Sequence, residues 1–303
     1  QSIVSYTGTG SAANVGHGLS SAPEMIIHKN RSAVDDWSTW HTELGTGKKL
    51  FLNGTNASSN TSNYPTLPTS SLFYVGAGVE VNGSGNDMIA YCFHSVSGYS
   101  KIGSYNGTGS ANNVVTLGFR PAFLMVKRTN STEDWFIFDS TRNPLNTVNL
   151  RLKANTTDAD GAYSYVNFTD TGFSWQATGT GQNGSGDSYI YMAFAGGMDS
   201  ISDYNTTGSL DSRVKANPTY GQSVVSYTGN TASSATVGHG LSSAPEMMIV
   251  RTRGANAWAV YHTSIGNTHL LELNTTAAKA DSHEFWNDTS PTNSVFTIGS
   301  HNE

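Results

Sequence analysis

The segment SIVSYTGTGSAANVGHGLSSAPEMII, from Ser2 to Ile27, returns almost unchanged as SVVSYTGNTASSATVGHGLSSAPEMMI, from Ser223 to Ile249. Such a repeat constrains the fold strongly, because one structural solution must serve every copy. A more diverged copy opens at SYNGTGSANNVVTLGFRPAFLMV, where Ser104 and Tyr105 match Ser5 and Tyr6, and Pro121 matches Pro23. Each Pro leads an apolar run and then a Trp: Pro23 to Trp37, Pro121 to Trp135, Pro245 to Trp258. KKLFLN, LRLKAN and HLLELN follow, ending at Asn53, Asn155 and Asn274, and then Phe73, Phe173 and Phe296. A unit of about 100 residues is domain-sized rather than solenoid-sized, so each copy is expected to have its own core.

The boundaries fall at residues 1–98, 99–196 and 223–303, with 197–222 as a linker or surface excursion rich in Gly, Ser, Asp and Asn. The first two copies end on VNGSGNDMIAYCF and QNGSGDSYIYMAF, with Asn82 and Asn183 in register. The third stops short of this segment and so is expected to lack its last hairpin strand. A domain without a core strand exposes an apolar edge, and the expectation is that a continuing chain or another chain supplies it.

Apolar segments are short, five to eight residues, and bounded by Gly, Asn, Ser and Pro, as strands are. No stretch sustains an apolar 3.6-residue spacing over a dozen positions, so helices are expected to be few and short. The predicted fold is all-β, with a two-sheet β-sandwich in each unit and three sandwiches set in a row. Lys and Arg total 16 against 22 Asp and Glu, which lacks the basic excess that binds phosphate backbones, so no nucleic acid is expected. No apolar run is long enough for a membrane-spanning helix. The single cysteine, Cys92, reads as a free buried thiol.

Sequence motifs for catalysis are weak. Gly179 to Gly184 matches G-x-G-x-x-G but precedes a strand-like segment, which favours a Gly-rich hairpin turn over a dinucleotide loop. His17 and His239 recur, as do His41 and His262, yet the second copy has Thr116 or Leu117 and Asp139 there, so structural polar roles outweigh a metal site. Asp158-Ala159-Asp160-Gly161 has the start of a calcium loop without its later ligands. Asp35 and Asp36 beside Trp37 and Trp40 suggest a glycosidase pair, but neighbouring strand residues face opposite ways. No catalytic, cofactor or metal residue is assigned. Trp40, Tyr64, Trp175 and Trp286 are candidate exposed aromatics for sugar stacking, whereas Trp37, Trp135 and Trp258 lie in the most regular pattern and read as core. The Asn-x-Ser/Thr sequons, among them Asn53, Asn56, Asn60, Asn106, Asn155, Asn205 and Asn274, read mostly as accidents of composition, or as glycan sites if the protein is secreted.

The GFRPAF block at Gly118 to Phe123, EDWFIFDS at Glu133 to Ser140 and the Arg142-Asn143-Pro144 turn resemble a repeat family in structural proteins of marine tailed bacteriophages. That resemblance covers nearly the whole chain except the 195–222 excursion. It implies tandem concanavalin A-like or jelly-roll β-sandwich domains on the exterior of a virion, in a non-enzymatic fibre, spike or decoration protein. Implied partners are other virion proteins or copies of itself, with a homo-oligomer expected and a trimer favoured by analogy. A host-surface glycan is a further candidate partner. The alternative is a lectin-like secreted or cell-surface protein.

Overall fold

The computed structural model describes residues 1–196 and 204–301, and these form an almost entirely β structure. The helices among them are two four-residue α-turns, Val79–Asn82 and His283–Trp286, and one 3₁₀ turn, Thr42–Leu44. The first copy contains β1 (Ser2–Thr7), β2 (Ala13–Gly16), β3 (Met25–Asn30), β4 (Ser38–His41), β5 (Lys48–Phe51), β6 (Ser59–Asn60), β7 (Leu72–Val75) and β8 (Asp87–Phe93). The second contains β9 (Ser100–Asn106), β10 (Asn113–Thr116), β11 (Pro121–Arg128), β12 (Trp135–Asp139), β13 (Val148–Lys153), β14 (Gly161–Thr169), β15 (Gly172–Trp175) and β16 (Ser188–Ala195). After β17 (Tyr204–Asn205) and β18 (Ser212–Asn217), the third copy contains β19 (Gln222–Tyr227), β20 (Ala235–Gly238), β21 (Met247–Val250), β22 (Ala259–His262), β23 (His269–Glu272), β24 (Ala280–Asp281) and β25 (Val295–Ile298).

The first copy stacks a six-stranded sheet, ordered β1-β8-β3-β4-β5-β6, on the β2-β7 pair. In the second, one eight-stranded sheet, β10-β15-β14-β13-β12-β11-β16-β9, turns over on itself between β13 and β14. In both, the last strand of the copy lies between the first strand and the one after the Pro: β8 pairs with β1 and β3, and β16 with β9 and β11. All these pairings are antiparallel.

β3 and β8 are buried on both faces, and the two faces have different partners. Ile26, Ala90 and Cys92 turn inward against Phe73 and Val75 of the small sheet. Met25, Ile27, Ile89, Tyr91 and Phe93 turn outward, into a cluster that gathers Met125, Trp135, Ile137, Met192 and Phe194 from the second copy and Trp258, Val260, Leu271 and Leu273 from the third. Each copy has its own core. A further core belongs to all three.

The junctions around this shared centre are equivalent. Trp37 Nε1 donates to Glu272 O in the third copy (2.9 Å), Trp258 Nε1 to Lys153 O in the second (2.9 Å), and Trp135 Nε1 to Phe51 O in the first (2.8 Å). Backbone bonds repeat the cycle: Lys279 N to Arg31 O, Asp160 N to Arg253 O, and Ser58 N to Thr129 O. The expectation of three units in a row is therefore corrected: the copies close into a ring. The outer apolar face of each larger sheet has to leave water, and meeting at a common centre buries all three at once.

Part of the 197–222 segment is built into the third copy: β18 pairs with β19, from Ser212 opposite Tyr227 to Asn217 opposite Gln222. β19 and β21 lie in separate sheets, with no described strand joining them as β8 and β16 join their neighbours.

Candidate functional site

A cleft of about 540 Å³ opens on the second copy and is lined by Glu133, Asp134, Phe136, Arg151, Tyr165 and residues 176–182. Three elements form it. The segment entering β12 supplies Glu133, Asp134 and Phe136, β13 and β14 supply Arg151 and Tyr165, and the Gly-rich loop before β16 closes one wall. The Arg151 guanidinium lies 4.2 Å from the centre of the Phe136 ring, a cation–π arrangement that holds the ring's outer face. Gly181 packs against Phe136, and a Cβ there would meet the ring at 2.8 Å, so this close approach requires glycine. The tip Tyr165 is exposed.

Gln182 is the unusual member. It is only 3% exposed, and its amide nitrogen has no hydrogen-bond partner, while its backbone carbonyl accepts from the Tyr105 hydroxyl at 2.5 Å. An unpaired buried amide is costly unless something completes it. Two carboxylates, a guanidinium, a phenol and two glutamine amides thus line the cleft around an apolar ring.

The Gly179–Gly184 motif is the loop beside this cleft, with Gln182 N and Asn183 N both donating to Gly179 O, and it leads into a strand. It is a turn, as its sequence context indicates. Asn183 locks that turn: Oδ1 accepts from Thr108 N, and Nδ2 donates to Ser110 O and Ala177 O. Asn82 does the same in the first copy with Thr9 N, Ser11 O and Gly76 O. Gly107 and Gly8 face these turns, where a Cβ would collide with the Gly184 and Gly83 carbonyls.

The aromatics expected to stack on sugar are elsewhere. Trp40, Tyr64, Trp175 and Trp286 are all buried, because each ring fills the space between two sheets rather than a rim. Trp37, Trp135 and Trp258 sit in the shared centre.

The recurrent histidines brace backbone. His17 Nε2 meets Thr69 O and its Nδ1 accepts from Leu19 N, a pattern that His239 repeats with Thr292 O and Leu241 N. His41 Nδ1 accepts from Glu43 N, and His262 Nδ1 accepts from Ser264 N. Asp139, their counterpart, accepts from Thr141 N and Arg142 N. One acceptor task is thus filled by imidazole or carboxylate, which explains the exchange of His for Asp.

The carboxylates near the calcium-like segment are held by basic side chains. Asp158 pairs with Lys153 (2.8 Å), and Asp160 with Arg253 (2.6 Å) and Arg142 (3.5 Å), so Asp160 ties the second copy to the third. Asp36 Oδ1 accepts from Asn53 Nδ2, whose Oδ1 takes Trp37 N. Asp35 Oδ1 accepts from Asp36 N. Asn155 and Asn274 hold Trp135 N and Trp258 N in the same way, which gives three of the sequon asparagines a structural role. Burial pushes the Cys92 thiol up to about 12, which keeps it protonated and a poor nucleophile.

Of the cleft, the sequence signals two walls, EDWFIFDS and the Gly-rich loop, without indicating that they meet. Gln182 lies within that Gly-rich loop, whereas Arg151 and Tyr165 carry no motif and reach it only through the folding of the second sheet. A family model described as a domain of unknown function (DUF7483) matches residues 1–197 and again residues 199–303. No curated protein and no solved structure matches the chain.

Proposed function

The chain belongs to the DUF7483 family, and from that premise we propose that it is a non-enzymatic structural component of a bacteriophage virion, a fibre, spike or surface decoration on the particle exterior. Its copies are read as concanavalin A-like sandwiches. The observation that carries the reading is the use of the recurrent polar residues. The repeated Asn, His, Asp and Trp side chains fasten turns and join copies, which is the pattern of a part selected for shape. The resemblance of the Gly118–Phe123 and Glu133–Ser140 blocks to phage structural repeats supplies the virion setting. Partners are other virion proteins or further copies, with a trimer as the analogous assembly. Antibody labelling of intact particles in the electron microscope tests this, with label on a fibre, spike or capsid surface expected. Protein released free of particles would overturn it.

A second reading, a lectin-like secreted or cell-surface protein, is favoured by the cleft around Phe136. Its test is a glycan array with the whole chain and with Arg151→Met and Tyr165→Ala. Binding that disappears in both variants with folding intact, together with absence from particles, would favour it over the virion role.

A further inference from the structure

One corner of the first copy brings an amine, a carboxylate and a primary amide together. Lys49 on β5 directs Nζ at both Glu80 carboxylate oxygens, at 2.6 Å each, and Asn63 Nδ2 donates to Oε2 of the same carboxylate at 2.5 Å. The three side chains come from β5, the loop between β6 and β7, and the α-turn Val79–Asn82. All are sheltered: Asn63 is 4% exposed, and the Lys49 and Glu80 side chains 14% and 17%. Nζ also lies 4.5 Å from the centre of the Phe51 ring. Gly78 packs against the Asn63 amide, where a Cβ would collide with Oδ1, so the amide is held with Nδ2 on the carboxylate. An ion pair alone has no use for a clamped primary amide. The other copies lack the amine: aligned on Asn53, Asn155 and Asn274, Lys49 corresponds to Arg151 and Leu270. Aligned on Asn82 and Asn183, Glu80 corresponds to Gly181.

We propose that Lys49 and Asn63 condense into an intramolecular isopeptide bond, with Glu80 carrying the protons. Glu80 takes a proton from the Lys49 ammonium, and Nζ attacks Asn63 Cγ with the freed lone pair. The carboxyl then returns that proton to Nδ2 as the Cγ–Nδ2 bond breaks. A second Nζ proton leaves with the ammonia, so lysine ammonium and primary amide become secondary amide and ammonium, and nothing is oxidised or reduced. A carboxamide is a poor electrophile in water, and holding amine, acid and amide on one carboxylate supplies the effective concentration that the reaction needs. The bond ties the edge pair β5-β6, where β6 is only Ser59–Asn60, to the chain ahead of β7.

The test is mass analysis of the whole folded chain after storage near neutral pH, followed by protease digestion and sequencing of branched peptides. Expected are an intact mass lower by one ammonia and a reductant-stable peptide in which Lys49 Nζ is joined to Asn63 Cγ. Glu80→Gln keeps the hydrogen-bonding shape without the proton carrier and should slow joining about a hundredfold or more. Lys49→Arg should abolish it, while unchanged amide exchange in β3 and β8 reports intact folding in both variants. Asn63→Asp should reach the same final product by losing water instead, a signature that a purely structural ion pair does not give. Lys49 and Asn63 recovered on separate peptides from the folded chain would overturn the proposal. So would ammonia loss that maps only to Gln1 or to an Asn-Gly pair, or joining at full rate in Glu80→Gln.

Discussion

The first and third copies open on almost the same 26 residues, yet one is a closed sandwich and the other has an open side. Ile27 and Ile249 follow the same Ser-Ala-Pro-Glu-Met entry, and only Ile27 has the last strand of its copy beside it. Burial in a sheet is thus a property of the neighbouring strand as much as of the residue itself. This pair of copies is a natural comparison of one strand with and without its partner.

The largest effects should come from the shared centre. Trp37→Ala and Trp135→Ala each remove a fully buried indole and a bond to the next copy, so each should cost about 3–5 kcal/mol in urea unfolding. Trp258→Ala, beside the open sheet, should cost less, and an equal cost in all three would show that the open side does not weaken its junction. Ile27→Ala should cost about 2–4 kcal/mol and Ile249→Ala under about 1 kcal/mol. Equal losses by denaturation would mean that β21 is covered in solution.

Acid separates the copies differently. Burial holds His28 down to about 3 and His41 to about 4 in the first copy, and His262 to about 4 in the third. The second copy has Val126 and Asp139 at those places. These imidazoles are neutral when folded but take up protons near pH 6.5 when unfolded. Their stabilisation is therefore complete above that pH and lost as pH falls from about 6.5 toward 4 and then 3, by on the order of a few kcal/mol. The urea midpoint should fall across this range, and His28→Val should flatten the fall. The smallest effect belongs to Asp160→Asn, which loosens a partly exposed tie between second and third copies and should cost about 1 kcal/mol or less. Amide exchange in β23 and β13 is the sensitive measurement.

Much of the fold is legible in the order of residues alone. The repeat gives the copies, and the Pro and Asn-Gly-Ser-Gly signals give strand entrances and turns. The ring is harder to read, because its recurring bonds run from an indole to a backbone carbonyl and leave no side-chain partner in the sequence. One clue is present: EMIIHK and DMIAYCF are apolar at successive positions, as strands covered on both faces are. The cleft is less legible still. Glu133 and Gln182 are far apart in the chain, and only the turn-over of the second sheet brings them together. The four aromatics that suggest a sugar surface mislead for a simple reason: a Trp beside polar residues looks the same at a rim and between sheets.

Closure around a common centre also changes how the chain gives way. A linear array of modules has two ends from which it can fray, and its outermost modules unravel without disturbing the middle. Here every copy grips both others, so none is terminal, and a protease cut in a connecting loop would leave pieces that remain clasped together.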